Sequence, residues 1–315
     1  MPSFAPSFLE RLNEIFGTSL TTTVVKTFVE RPTTFRVNTL KVTREEVLEK
    51  LQQEGFKLRR VPWFADAFIL DNKKLSELQK LSLYQEGKIY VQSLASMVPP
   101  VVLAPKAGEK VLDLTAAPGS KASQMAALMK NTGELVANDN NEIRFQRLEH
   151  TMRIMGVGQT GFLRLENCDG WKLTEKYPLY FDKVLIDVPC TAEARFVSGE
   201  PRTFSFWNER NIKEHAFIQK KLLFAGWEML KPGGTLVYST CTFAPEENER
   251  QISRFITEVG KAVSVEPIAL SQLQLGPIMK MWKEEKILFS TQKTLRIVPT
   301  KDIEGFYVAK LRKVL

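Results

Sequence analysis

The chain has 315 residues, 43% hydrophobic and 25% charged, with three cysteines and a net charge of +8. This length can bury a sizeable core, the hydrophobic content excludes long-range disorder, and an odd, small cysteine count excludes a disulfide scaffold. No apolar run is long enough for a membrane span, and the N-terminal MPSFAPSFLERLNEIFG lacks the basic start and continuous apolar stretch of a signal peptide, so a cytoplasmic monomer is expected.

The charge is unevenly placed: +3 over residues 1–100, zero over 101–259 and +5 over 260–315. A polyanion such as nucleic acid is the partner this suggests, with Arg59 and Arg60 among the candidate phosphate contacts. Solubility alone would also account for a basic surface.

In chain order, residues 6–16 space Phe8, Leu9, Leu12, Ile15 and Phe16 as one helical face. Thr34 to Leu40 reads as a strand. Thr43 then opens a helix with a capping-box pattern that runs to about Gln53. Strands at Phe56–Val61 and Ala67–Leu70 follow, and together these elements suggest a small ferredoxin-like or RRM-like α/β module within residues 1–105, read as RNA-binding. Lys88–Gln92 is a further short strand and Ser93–Leu103 a helix. From residue 106 strands and helices alternate: strands at Val111–Leu114, Glu134–Asn138, Thr160–Leu165, Lys183–Asp187 and Thr235–Ser239; helices from Lys121 and over Glu142–Met155, Asn211–Leu230 and Glu246–Val259. Such alternation predicts a doubly wound, Rossmann-like parallel sheet over 106–315, closed by an antiparallel strand at Gly305–Lys310.

Five strand ends carry candidate chemistry. VLDLTAAPGSK (111–121) runs from a buried strand through small residues into a helix N-terminus, where a ligand can approach the backbone closely. It is neither a dinucleotide GxGxxG nor a P-loop, and resembles the first motif of S-adenosylmethionine-dependent methyltransferases. Asp139 ends the second strand, where a carboxylate either accepts from both hydroxyls of a ribose or caps the next helix. Asp169, after the third strand, either meets an adenine amino group or belongs to a surface Asp-Gly turn. Cys190 and Cys241 end two further strands at the same carboxyl edge. A lone buried cysteine is usually a small hydrophobe, but two at matching strand ends, one preceded by Asp187-Val188-Pro189, point to chemistry. No CxxC or HxxxH pair is present, so no metal site is expected.

DLTAAPGSKAS (113–123), ANDNNEIRFQRL (137–148), FDKVLIDVPC (181–190) and LKPGGTLVYSTCTFAPEENE (230–249), with VQSLAS (91–96) and EGFYVAKL (304–311), together resemble the Sun-domain (RsmB/NOP-like) RNA cytosine-5 methyltransferases. The resemblance spans nearly the whole chain. It implies an enzyme that moves a methyl group from S-adenosylmethionine to C5 of a cytosine in transfer or ribosomal RNA. Cys241 would attack C6, Cys190 would assist release and Asp187 would hold the base edge; a free thiol needs activation, which Lys121 or the basic environment would supply by lowering its pKa. Cofactor contacts would come from Ala116, Ala117, Pro118, Gly119, Ser120, Lys121, Asp139, Arg144, Asp169, Asp187 and Pro189. Thr115 and Ser120 depart from the family pattern. So does Thr191-Ala192-Glu193-Ala194-Arg195, where many relatives carry a glycine-containing turn.

Other readings are weaker. A DNA cytosine-5 methyltransferase would carry Glu-Asn-Val and a target-recognition domain, and an exocyclic-amino methyltransferase would carry an aromatic after Pro-Pro. A non-catalytic RNA-binding or ribosome-assembly factor would have no use for intact Asp187, Cys190 and Cys241.

Overall fold

A computed structural model describes residues 4–158 and 161–314. Helix α1 (Pro6–Val25) opens the chain. It is followed by β1 (Thr34–Val37), α2 (Arg44–Gln53), β2 (Leu58–Arg60), β3 (Ala67–Leu70), the single turns α3 (Leu75–Leu78) and α4 (Ser82–Gln85), and β4 (Ile89–Val91). The four strands form an antiparallel sheet in the order β2-β3-β1-β4, the strand order of a ferredoxin-like module. Thr43 caps α2 through the predicted capping box. The strand starting at Thr34 stops at Val37 rather than Leu40. Asn38 accepts from the Leu40 amide and donates to the carbonyls of Gly87 and Met155, so its side chain turns the chain out of the ladder.

Helix α1 continues beyond the predicted residue 16. Gly17 (φ 74°, ψ 157°) breaks it, and a second segment follows in which Val24 is fully buried and the Thr21 hydroxyl donates to Leu12 O. The run Thr21-Thr22-Thr23 disfavours helix locally, and tertiary burial overrides that preference. Phe8, Leu12, Phe16 and Phe28 pack not on the small sheet but against Phe196, Phe243 and Trp282.

Helix α5 (Leu94–Leu103) leads into the large sheet: β5 (Lys110–Asp113), α6 (Ser120–Leu128), β6 (Glu134–Asn138), α7 (Glu142–Ile154), β7 (Leu163–Glu166), β8 (Phe181–Asp187), α8 (Glu209–Met229), β9 (Leu230–Thr240), α9 (Glu249–Val259), β10 (Val263–Glu266), the hairpin β11 (Met281–Trp282) and β12 (Glu285–Lys286), β13 (Leu295–Ile297), and β14 (Phe306–Lys313). The order β10-β14-β9-β8-β5-β6-β7 is parallel from β9 to β7, while β14 runs antiparallel to β9, as the closing EGFYVAKL segment predicts. The strand expected from Thr160 begins at Leu163; Thr160 itself lies outside the described residues. Helices α5, α6 and α7 bury one face of the sheet, with Met97, Met125, Leu148 and Met152 at its centre. Helices α8 and α9 bury the other through Leu223, Trp227, Ile252 and Phe255. No helix among the described residues is long and apolar enough to cross a membrane.

The small sheet is locked to the large one by polar contacts. Arg36 on β1 is buried and donates to Gln92 Oε1 (2.8 Å), Ser123 Oγ (2.7 Å) and Ser120 O (3.2 Å), so it grips the first turn of α6. Arg59 meets Asp71 at 2.7 Å and Asp302 at 2.8 Å. It is therefore a clamp between β2 and the segment preceding β14, rather than the free phosphate contact that its place in the sequence suggests.

Candidate active site

Parallel strands present all their carboxyl ends on one edge, and the strand order reverses between β5 and β8, which opens a crevice there. A cavity of about 650 Å³ occupies it, lined by the 114–121 loop, Asn138 to Asn140, Asp187 to Cys190 and Cys241. That volume suits a small-molecule ligand.

Buried β5 delivers Ala116, Ala117 and Pro118 to the cavity wall and then turns into α6. Gly119 sits at φ +105°, and a Cβ there would lie 2.9 Å from Thr151, so the turn needs glycine on both counts. Ser120 and Lys121 also line the cavity, while Gly119 shapes the turn behind them.

Asp139 is 4% exposed. Its carboxylate accepts from the amides of Ala117 (3.3 Å) and Asn141 (3.1 Å) and pairs with Arg144 at 3.2 Å. The N-cap of α7 is Asn141, which accepts from Arg144 N, so Asp139 is left facing the cavity. Arg144 also donates to Ala117 O, tying α7 to the 116–118 loop. Asp169 stands apart from the cavity lining. It accepts from Asn140 at 3.0 Å and lies 3.5 Å from Lys172, two contacts that hold its carboxyl below the usual range, and its neighbours Gly170 and Trp171 form the wall instead.

Lys121 is buried at the start of α6. Its Nζ lies 2.7 Å from Asp187 Oδ2 and 2.8 Å from Ser96 Oγ. Ser239 donates to Asp187 Oδ1 at 2.7 Å, and the Thr115 hydroxyl to Asp187 O at 2.9 Å. The carboxylate is thus held from α6 and β9, and the backbone carbonyl of the same residue from Thr115. Beneath it, Asp113 is fully buried with neither oxygen in good hydrogen-bond geometry; burial, ahead of the opposing pull of Lys121, raises its pKa to about 7.

The two thiols meet at the end of β8 and β9, with Cys190 Sγ and Cys241 Sγ 3.3 Å apart. The shared hydrogen bond holds Cys241 below its ordinary value, helped by Arg195 against the cost of burial. The same bond, then burial, pushes Cys190 up. The direction is that of a Cys190 S–H donating to a Cys241 thiolate. Pro189 forms the cavity rim, and its carbonyl accepts from Gln219.

The chain after Cys190 is fixed by a buried carboxylate that the sequence reading placed in a helix. The helix expected from Glu246 begins at Glu249, and Glu247 turns inward to accept from Thr191 N, Thr191 Oγ1 and Gln219 Nε2. Burial raises its pKa to about 8 despite these donors. Ser96, Trp171, Arg195 and Glu304 also line the cavity and were not singled out; Ser96 and Glu304 lie in motifs quoted above, while Arg195 lies in the loop noted as atypical.

Residues 100–312 match the family model of the 16S rRNA methyltransferase RsmB/F, and residues 4–94 that of the N-terminal domain of 16S rRNA methyltransferase RsmF. The chain belongs to the RsmB/F methyltransferase family. Among its relatives is the tRNA (cytosine(49)-C(5))-methyltransferase of Pyrococcus abyssi, 36% identical over 88% of this chain and 87% of that one. The ribosomal RNA small subunit methyltransferase F of Vibrio cholerae (strain M66-2) is 34% identical over 89% of this chain, which spans only 57% of that longer protein. A crystal structure of a methyltransferase homolog protein from Pyrococcus horikoshii superposes with a TM-score of 0.86 at 32% identity, covering 99% of this chain and 96% of that one. This RsmB/F member therefore shares the fold of a family of RNA cytosine methyltransferases along almost its whole length.

Proposed function

We propose that the protein methylates C5 of a cytosine in transfer or ribosomal RNA, with S-adenosylmethionine as donor. The observation that carries this is the pair of thiols 3.3 Å apart beside the Lys121–Asp187 ion pair in one cavity.

The crevice suits the donor. Asp139 offers a buried carboxylate to a ribose, the small 116–119 loop admits close approach, and the first turn of α6 faces the same space. When bound, the donor supplies an electrophilic methyl group. Cytosine C5 is a poor nucleophile, and the residues of the chain correct that. The Cys241 thiolate adds to C6, forming an S–C6 bond and moving the C5–C6 π electrons onto C5. Asp187 accepts from the N4 amino group and so fixes the base edge; Lys121 and Ser239 keep it oriented. After C5 has taken the methyl, solvent water takes the C5 proton, the C–H electrons re-form the C5–C6 double bond, and the S–C6 bond breaks with its pair returning to the Cys241 sulfur. Cys190, a thiol beside the departing sulfur, donates a hydrogen bond to it and so assists release. The base is attacked through its ring face and so must be presented unstacked.

The test is methyl transfer from labelled S-adenosylmethionine to total RNA, followed by digestion to nucleosides. Label in 5-methylcytidine is expected, and bisulfite sequencing of the same RNA then identifies the position. Label in another nucleoside, or none, would overturn the reading.

A further inference from the structure

A thiol in a buried site beside two carboxylates needs a counter-charge to ionise. Asp187 from β8 and Glu304 from the segment before β14 both face Cys241, and Glu247 stands behind Cys190. Three cations line the cavity. Lys121 is committed to Asp187 at 2.7 Å, and Arg144 to Asp139 at 3.2 Å. Arg195, exposed at the cavity, is in none of the ion pairs or side-chain hydrogen bonds formed among the described residues.

The backbone holds Arg195 in this place. Ala192, at φ 54° and ψ 30°, starts the short 3₁₀ turn Glu193–Arg195, and the Arg195 amide closes it on Ala192 O at 2.9 Å. The Ala194 amide donates to the carbonyl of Cys241 itself at 3.1 Å. Glu193, buried, accepts from Phe243 N at 3.0 Å and from Trp207 Nε1 at 2.7 Å. The turn is therefore stitched to the Cys241 carbonyl and the Phe243 amide, and its arginine lines the same cavity.

We infer that Arg195 is the positioning residue that holds Cys241 in its thiolate form, acting through that sulfur. The inference rests on Cys241 as the nucleophile. It gives the atypical Thr191–Arg195 loop a purpose: the charge arrives with the turn that fixes the nucleophile's carbonyl. Arg195 and Cys241 line one cavity, and a cation in the same cavity favours the charged form of a thiol.

The full chain would be alkylated with iodoacetamide across a pH series, and the rate at Cys241 read by peptide mass spectrometry. Peptide-level reading separates Cys241 from Cys168 and Cys190. In Arg195→Ala the midpoint for Cys241 rises by about one pH unit, so alkylation at neutral pH falls roughly fivefold; Arg195→Lys restores most of it. S-adenosylmethionine affinity and thermal midpoint, measured on the same samples, confirm that both variants are folded. Superimposable midpoints for wild type and Arg195→Ala would overturn the inference, as would an Arg195→Lys variant no better than the alanine. Because alkylation needs no RNA, a shifted midpoint together with no covalent RNA adduct at Cys241 would sink the nucleophile assignment and leave the thiolate assignment standing.

Discussion

Cys190 and Cys241 are 51 residues apart in the chain, yet their sulfurs lie 3.3 Å from one another because they follow neighbouring parallel strands in register, with Asp187 opposite Ser239. The two thiols share one proton-rich contact but not one environment. Cys241 shares its cavity with Arg195, while Glu247 holds Thr191, the residue after Cys190. The asymmetry gives each a different behaviour on mutation.

With RNA and S-adenosylmethionine, Cys241→Ala forms no covalent complex and no methylated product, because the S–C6 bond cannot form. Cys190→Ala forms the bond and stalls before release, so a protein–RNA adduct that survives denaturation accumulates. A denaturing gel shift reads both. The reverse pattern would make Cys190 the attacking thiol.

Asp139→Ala weakens binding of S-adenosylmethionine by roughly tenfold to a hundredfold, as one charge-assisted hydrogen-bond site is worth about 1.5–3 kcal/mol. Calorimetry measures this directly. Asn141, not Asp139, caps α7, so the helix itself should survive the substitution. An unchanged affinity would remove Asp139 from the donor site.

Asp113→Asn separates a buried charge from its pH dependence. The folded carboxyl titrates at about 7, above its ordinary 3.8, so its stabilising contribution is complete below about pH 4 and is lost as pH rises through 7. The amide does not titrate. The thermal midpoint of Asp113→Asn relative to wild type should therefore climb between pH 5 and pH 8, by an amount corresponding to a few kcal/mol at most. Glu247 titrates in both proteins and cancels in the comparison. A difference constant with pH would mean that Asp113 keeps an ordinary pKa.

Arg296→Met leaves Glu249 as an unpaired buried carboxylate. The pair is 1% and 0% exposed at its side chains, with Arg296 Nη2 2.6 Å from Glu249 Oε2 and Nη1 donating to Phe243 O at 2.8 Å. Removing one partner costs about 3–5 kcal/mol. A lowered urea midpoint is expected, with a smaller loss when Glu249→Gln is added. Equal midpoints for Arg296→Met and wild type would contradict this account.

The basic surplus is a lesson in what a charge count leaves open. Of the cations in the net +5 tail, Arg296 is buried against Glu249, Lys310 and Arg312 face Glu266, and Lys313 donates to the carbonyls of Trp227 and Leu230. Arg59 is likewise taken up by Asp71 and Asp302. These groups join elements of the fold, so the phosphate-binding share of the +8 is smaller than the composition suggests.

The sequence by itself determined the alternating elements, the closing antiparallel strand and the positions of Asp139, Asp187, Cys190 and Cys241. Parallel strands send every carboxyl end to one edge, so a residue at a strand's end is placed by topology alone. Only the tertiary structure decided which groups pair there. Lys121 turned to Asp187 because the first turn of α6 and the end of β8 border the same cavity. Glu247 left its expected helix because burial in a polar pocket supplied it with three donors. Arg195 came to share a cavity with Cys241 because the turn that carries it is hydrogen-bonded to the Cys241 carbonyl. Such contacts join residues dozens to hundreds of positions apart, where local propensity and spacing carry no information, and only packing fixes them.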